Sequence, residues 1–367
     1  MIPTPLTSLL IFLASMLTTS YTQSEPTTIS DNEATLKLNI YTLSFIKNNE
    51  YFGPIVEGHT LGGYQLHPFL SYIPSENVTA KLGLFTRRYW AEEKLLSYIM
   101  PTFTLQYQKQ AAKFLIGNIK GESAHQLIAP FYDWERTLKV RPETGLQMRY
   151  MNQHTFLDIW LDWLTSLDKS KNLPEEFVAG LSVEQQVGQI SSLNLKIPLQ
   201  TMLYHLGGQG IAVKDFSLLL GTIGVRINLQ LSKSKFLQNI GLANYYVTSQ
   251  YVKNINRPFK LGHAFFSQVT CQTTWFTVQG SYWNGYGFSS ENLGHPLYQS
   301  IALSNKQITY QEEHRHLILL HIKSQYLLTN QLKFILHIDP YYDINHHLVE
   351  HEAGFYVIYK PCFNLAH

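Results

Sequence analysis

In Thr102-Phe103-Thr104-Leu105-Gln106-Tyr107-Gln108 the apolar residues Phe103, Leu105 and Tyr107 alternate strictly with polar ones. A period of two marks a β-strand whose two faces meet different surroundings. The pattern returns in Ser192–Gln200, where Leu193, Leu195, Ile197 and Leu199 oppose Ser192, Asn194 and Lys196. It returns again in Val225–Leu231, where Val225, Ile227, Leu229 and Leu231 oppose Arg226, Asn228 and Gln230. Thr144–Tyr150 and Leu332–Asp339 follow suit, with Ile335 as the exception.

Working outward, the alternation and its turn residues place strands near 36–46, 61–73, 78–89, 97–108, 111–119, 143–151, 155–164, 176–184, 190–200, 218–231, 236–251, 261–272, 274–285, 297–311, 314–329, 331–339 and 353–363. Boundaries carry turn chemistry such as Pro74-Ser75-Glu76-Asn77, Asp168-Lys169-Ser170-Lys171-Asn172 and Leu231-Ser232-Lys233-Ser234. Two places break the rhythm. Pro198 sits inside a clear strand, and the apolar phase of Leu36–Ile40 has switched by Leu43 and Phe45; each reads as a β-bulge.

Alternation fits a soluble sandwich or an outer-membrane barrel. Composition separates them. Charged residues make up only 15% of the 367, against roughly 25% in ordinary soluble domains, while aromatics reach 13%. Strands of this length, the sparse charge and the many Tyr and Phe fit tilted lipid-facing spans with aromatic girdles. The reading is an all-β, transmembrane antiparallel β-barrel of about 16 strands, within about 14–18. Its first strand, near Leu36–Phe45, closes against the last, near Ala353–Phe363. A net charge of +2 gives no electrostatic case for nucleic acid.

Residues 1–20 read as a signal peptide, with an apolar run from Leu9 to Leu17 and a cut before Tyr21, although no Lys or Arg precedes Lys37. Residues 21–34 form a short lead, 35–363 one barrel and 364–367 a tail. The chain also resembles the uncharacterised outer-membrane barrel proteins of Gram-negative bacteria. That resemblance rests on Phe45-Ile46-Lys47-Asn48-Asn49-Glu50-Tyr51-Phe52 followed by Gly58, Leu61, Gly63 and Tyr64, on Leu115-Ile116-Gly117-Asn118 with His125 and Pro130, and on Trp160-Leu161-Asp162-Trp163. It covers about the first half of the chain left after the cut and implies no particular activity. Outer-membrane barrels in general end on a C-terminal aromatic, whereas Asn364-Leu365-Ala366-His367 follows Phe363 here.

Lys37, Arg149, Asp158, Asp162, Lys196, Arg226 and Lys333 fall on the polar phase of their strands and are expected to face the lumen. The long connection Asn118–Glu143 carries His125, Asp133, Glu135 and Arg136 and reads either as a loop that folds inward and constricts a pore or, equally, as an exposed extracellular loop. The expected function is passive passage of small polar solutes through a water-filled lumen, with outer-membrane lipid around it, no cofactor and no covalent step. A plugged structural barrel, or a secreted soluble β-rich carbohydrate-binding protein or glycoside hydrolase, is the alternative. The oligomeric state stays open, self-association included.

Chemistry motifs are thin, and the sequence reads as no enzyme. His347-Leu348-Val349-Glu350-His351 matches the H-x-x-E-H zinc pattern, but it lies between strands and so reads as a solvated histidine-rich loop that, with His346 and Glu352, holds stray metal at most. Asp158 and Asp162, with Asp133 and Glu135, could serve a glycosidase, but read more simply as lumen charges. There is no G-x-S-x-G nucleophile motif, and Gly207-Gly208-Gln209-Gly210 reads as a turn. Whether Cys271 and Cys362 pair is left open.

Overall fold

The computed structural model describes residues 34–210, 215–231, 236–252, 257–302 and 309–366. The expected signal peptide, the lead up to residue 33, the turn residues Ser232–Ser234 and His367 lie outside the described residues. The chain forms β1 (Thr35–Glu50), β2 (His59–Ser75), β3 (Val78–Tyr89), β4 (Tyr98–Lys109), β5 (Ala112–Asn118), β6 (Thr144–Met151), β7 (Thr155–Thr165), β8 (Glu175–Ile190) and β9 (Leu193–Gly207). It continues through β10 (Phe216–Gln230), β11 (Leu237–Tyr251), β12 (Leu261–Thr273), β13 (Phe276–Tyr286), β14 (His314–Leu327), β15 (Leu332–Asp343), β16 (Leu348–Tyr359) and β17 (Cys362–Ala366).

Sequence neighbours pair antiparallel, and β1 closes the sheet by pairing with β2 on one side and with β16 and β17 on the other. Thr42 lies opposite Tyr359 and Leu38 opposite Phe363. The last two segments are halves of one stave, interrupted at Pro361, which has no N–H to give a ladder; its carbonyl still accepts from Ile40 N at 3.1 Å. Seventeen segments therefore make a closed barrel of sixteen staves. Turns on the side of the chain termini are short, as at 76–77, 110–111 and 191–192, whereas 119–143 and 287–313 on the other side are long. In outer-membrane barrels the short turns are periplasmic and the long loops extracellular.

The outward faces carry an exposed apolar band that includes Leu82, Phe103, Ile116, Ile223, Val269 and Ile338. The inward faces change character with height. In the extracellular half, loops 119–143 and 287–302 enter the lumen and pack as a plug. Phe131, Phe288 and Leu297 bury themselves against wall residues such as Trp160, Leu218, Phe266 and Trp283. Leu138 packs against Leu43, Phe45, Ile335 and Tyr356. The loops also bond to each other, Asp133 N to Leu293 O at 2.9 Å and His295 N to Ala129 O at 3.0 Å.

The structure corrects three expectations, on the start of β1, on residues 297–311 and on Pro198. The β1–β2 ladder runs unbroken from Thr35 opposite Ile73 to Asn49 opposite His59; on the β17 side the register shifts between Leu36 and Lys37, at the start of the strand, so an irregularity exists there but the change of apolar phase between Ile40 and Leu43 marks no bulge. Leu43 and Phe45 are apolar on the lumenal side because a packed loop, not water, lies above them, and Ile335 breaks its pattern for the same reason. Residues 297–311 form no strand among the described residues: a turn of 3-10 helix (Pro296–Tyr298) leads into a segment buried without alternation through Ala302. A segment with wall on every side has no polar face to alternate. At Pro198 the strand persists without the expected bulge: Glu184 lies opposite it, and the β9–β10 ladder passes from Leu199 opposite Ile223 to Lys196 opposite Arg226 in the same register.

The plug's packing predicts the effect of trimming it. Phe131→Ala is expected to lower unfolding free energy by about 3–5 kcal/mol, as for a fully buried aromatic. Urea titration of the lipid-reconstituted barrel would measure it; a change within about 0.5 kcal/mol, the size of surface effects, would mean the loop is not packed in the lumen.

Candidate functional site

The inward residues at the tip of β1 meet the plug in a network of charge. Lys47 Nζ lies 2.7 Å from Glu135 Oε2 and 2.9 Å from Glu352 Oε2, with all three side chains buried. Asn49 Nδ2 donates to Glu135 Oε2 at 2.6 Å, and His59 Nε2 lies 2.7 Å from Glu135 Oε1. Lys139, one helical turn after Glu135, also pairs with it and reaches His59 Nε2 at 2.8 Å. From the second loop, His295 Nε2 approaches Glu352 Oε1 at 2.6 Å, and the Tyr51 hydroxyl donates to the same oxygen. Buried charges require such pairing, because one left alone costs about 3–5 kcal/mol.

Burial alone would raise the Glu135 pKa, but the hydrogen bond from His59 and the charges of Lys47 and Lys139 hold it well below the usual carboxylate range. Nearby Asp133 is raised, chiefly by burial. His295 is also raised: burial opposes its charge, but Glu352 more than compensates. The network thus fixes an ionised carboxylate beside an imidazole.

The His59 imidazole is half-buried, with 34% of its side chain exposed, against 4% for Glu135. His59 borders a cleft of about 460 Å³ lined by Asn48, Asn49, Glu50, Tyr51, Glu57, Gly58 and Thr60. On the outer side of the same strand tips, Thr60 Oγ1 donates to Asn48 Oδ1 at 2.6 Å and Asn48 Nδ2 to Glu50 Oε1 at 2.8 Å. One step down the wall, Trp90 lies over Gly62, where a Cβ would come within 2.6 Å of the ring. Exposed Ile46, opposite Gly62, continues this apolar track into the lipid band.

A second cluster locks the plug. His125 is wedged between Glu143 Oε2 at 2.8 Å and Asp158 Oδ2 at 3.1 Å, stacked 3.8 Å above Trp160. Arg149 Nε approaches the same Asp158 oxygen at 3.4 Å, and Arg149 Nη2 donates to Ala124 O at 3.1 Å. Asp162 accepts from Arg141 at 2.9 Å and from Thr144 N at 2.8 Å. Arg136 donates to Asn292 O and lies over the Tyr132 ring. Lower in the lumen, Lys196 and Arg226 share Glu184 at 2.7 and 2.5 Å. Lys37 and Lys333 also fall on the inward phase, as do the unforeseen Lys81, Lys113 and Lys323. The structure thus gathers Asp133 and Glu135 in one network and His125, Arg149 and Asp158 in another.

Sequence reading missed Lys47, His59, Lys139, His295 and Glu352. The inward phase of β1 selects Lys47 and Asn49, and Lys139 follows Glu135 by four residues, but the pairs Lys47–Glu135, His59–Glu135 and His295–Glu352 stand 88, 76 and 57 residues apart, beyond any local spacing. The H-x-x-E-H stretch is neither helix nor solvated loop. His347 forms a turn at φ 55°, β16 starts at Leu348, and Glu350 and Glu352 point into the barrel while His351 is exposed. Glu350 Oε1 accepts from Phe52 N and Gly53 N at 3.0 and 2.7 Å. Cys271 and Cys362 are both free thiols.

His125 makes the plug sensitive to pH. Burial opposes its charge, but Asp158 and Glu143 push its pKa up from 6.5 to about 9. A raised folded pKa stabilises fully below the unfolded value and ceases to do so as pH climbs through the folded one. The stability difference between the wild type and His125→Asn is therefore expected to shrink between about pH 6.5 and 9, by on the order of 3 kcal/mol. Urea midpoints of both proteins across this range test it, and a constant difference would refute it.

A family model described as lipid A 3'-O-deacylase-type matches residues 28–367. No curated protein sequence matches the chain. Among solved structures, the fold is similar to a loop-L8 deletion mutant of OmpT, an outer membrane protein of Vibrio cholerae, with TM-score 0.52 and 11% identity over 90% of this chain and 100% of that one. In-vitro folded OmpT gives 0.52 and 10% over 91% and 99%. Pseudomonas aeruginosa OprD gives 0.50 and 8% over 91% and 96%. At such identities the likeness concerns the fold alone. The family match overturns the expectation that this barrel is no enzyme. That expectation leaned on a missing serine motif, which a base that activates water does not need. The chain is an outer-membrane barrel and belongs to the lipid A 3'-O-deacylase-type family.

Proposed function

We propose that the chain hydrolyses an ester-linked acyl chain of lipid A at its extracellular rim, with His59 as general base. The observation that carries this reading is the placement of the His59–Glu135 pair at a cleft whose outer lip faces lipid. Lipid A lies in the outer leaflet with its acyl chains down and its sugars up, so its ester carbonyls stand near the strand tips. Ile46, Gly62 and Trp90 offer a track for the acyl chain. Asn48, Glu50 and Thr60 offer polar partners for the sugar and the ester.

The chemistry follows from the pair. Glu135, ionised and buried, orients the imidazole and stabilises the charge it gains, as the acid does in other acid–histidine pairs. His59 removes a proton from water as the water oxygen attacks the ester carbonyl. The Asn48 amide and Lys139 ammonium lie nearby as donors to the oxyanion. When the C–O bond breaks, the sugar oxygen takes the proton from His59, leaving a free fatty acid and a hydroxyl. Passive solute passage fits less well, because an apolar plug fills the extracellular half of the lumen.

The test is to incubate the reconstituted barrel with lipid A vesicles and follow the lipid by mass spectrometry. The wild type is expected to release one class of acyl chain, and a folded His59→Ala variant to do so at least about 100-fold more slowly. No release by the wild type would sink the activity. Release at full rate by H59A would leave the activity and remove this site.

A further inference from the structure

We infer that His321, His337 and Asp339 form a site for a divalent transition metal on the lumenal wall, independent of the hydrolytic site proposed above. All three fall on the inward phase of the β14–β15 hairpin. Leu319 pairs with Tyr341 and Ile322 with Ile338, which puts His321 directly across from Asp339. His337 precedes Asp339 by two residues on the same strand and so stands beside it on the same face. Pro340 can give no N–H, and the ladder carries no pairing between these two points.

The donor atoms converge. His321 Nδ1 lies 2.5 Å from Asp339 Oδ1, and His337 Nδ1 lies 2.8 Å from Asp339 Oδ2. One ligand atom from each residue fits within 4.8 Å of the other two. Two imidazole nitrogens and one carboxylate oxygen suit zinc, nickel or copper better than calcium or magnesium, which prefer all-oxygen sets. Zinc is bound at about 2.0–2.2 Å by such ligands, so the donors need only spread slightly around the ion.

The support around these ligands is that of a built site. The Tyr356 hydroxyl lies 2.8 Å from His337 Nε2, and the two rings are nearly parallel at 8°. A metal on Nδ1 would leave the His337 proton on Nε2, donated to Tyr356, so the imidazole binds as a neutral tautomer. Ligand histidines usually have such a partner on the second nitrogen. Gly354, opposite His337, permits it, since a Cβ there would stand 2.4 Å from Nε2 and 2.3 Å from the Tyr356 oxygen. His321 is 40% exposed on the other side, which gives the ion access and leaves a coordination position for water.

The test uses the full, untagged barrel folded in detergent, stripped with a chelator and titrated with zinc chloride, with metal content measured after dialysis. The wild type is expected to hold about one zinc per chain, and His321→Ala and Asp339→Asn to weaken binding by at least about 10-fold. The band shift of unboiled against boiled samples establishes that each variant is folded. Glu312→Gln with His346→Ala removes the other grouping of ligand side chains, Glu312, Asp343 and His346, and is expected to leave binding intact. Failure of the wild type to retain zinc, equal retention by folded H321A and D339N, or loss only in the Glu312/His346 variant would each overturn the assignment.

Discussion

A sixteen-stave barrel encloses a space too wide for its wall side chains to fill, so water or the chain itself must occupy it. In this protein the occupant changes with height. Two extracellular loops fold inward and complete an apolar core, while the periplasmic half keeps charged side chains such as Lys37, Lys196, Arg226 and Lys333 on its inner wall. The rest of the architecture follows from that division. Loops brought into the lumen carry backbone and charge with them, which must find partners there. The Lys47–Glu135–Glu352 network and the Glu143–His125–Asp158 cluster supply those partners.

The lipid face made the strands legible. Whatever the lumen contains, the outward residues must be apolar, and so β3 and β4 can be read from 78–89 and 97–108 almost to the residue. The inward face has no fixed chemistry, and there the reading faltered. Leu43, Phe45 and Ile335 looked like faults in the pattern because a polar lumen was assumed. Residues 297–311 looked like a strand because a chain entering a barrel is as apolar as one crossing lipid.

The site was less legible for a different reason. His59, Glu135, Lys47 and Glu352 sit on four separate elements, and closure of the barrel on its own first strand brings Glu352 to Lys47. His321, His337 and Asp339 form the opposite case: two are adjacent on one strand face, and a single hairpin supplies the third. Local pairing was within reach of strand periodicity, since the expected strands 314–329 and 331–339 already contain all three residues.

The plug and the proposed site are two aspects of one feature. A carboxylate that orients an imidazole must be held, ionised and dry, on a support that does not move with the lipid. Strand tips alone do not provide that, because the rim of a barrel borders both water and headgroups. Here the loop that fills the lumen ends in the helical turn carrying Glu135 and Lys139, and Leu138 between them is buried against Leu43, Phe45 and Tyr356. The apolar packing inside the barrel therefore sets the position of the charge at its edge. For the proposed hydrolysis at the membrane's outer leaflet, a filled lumen supplies the rigidity that the open rim lacks.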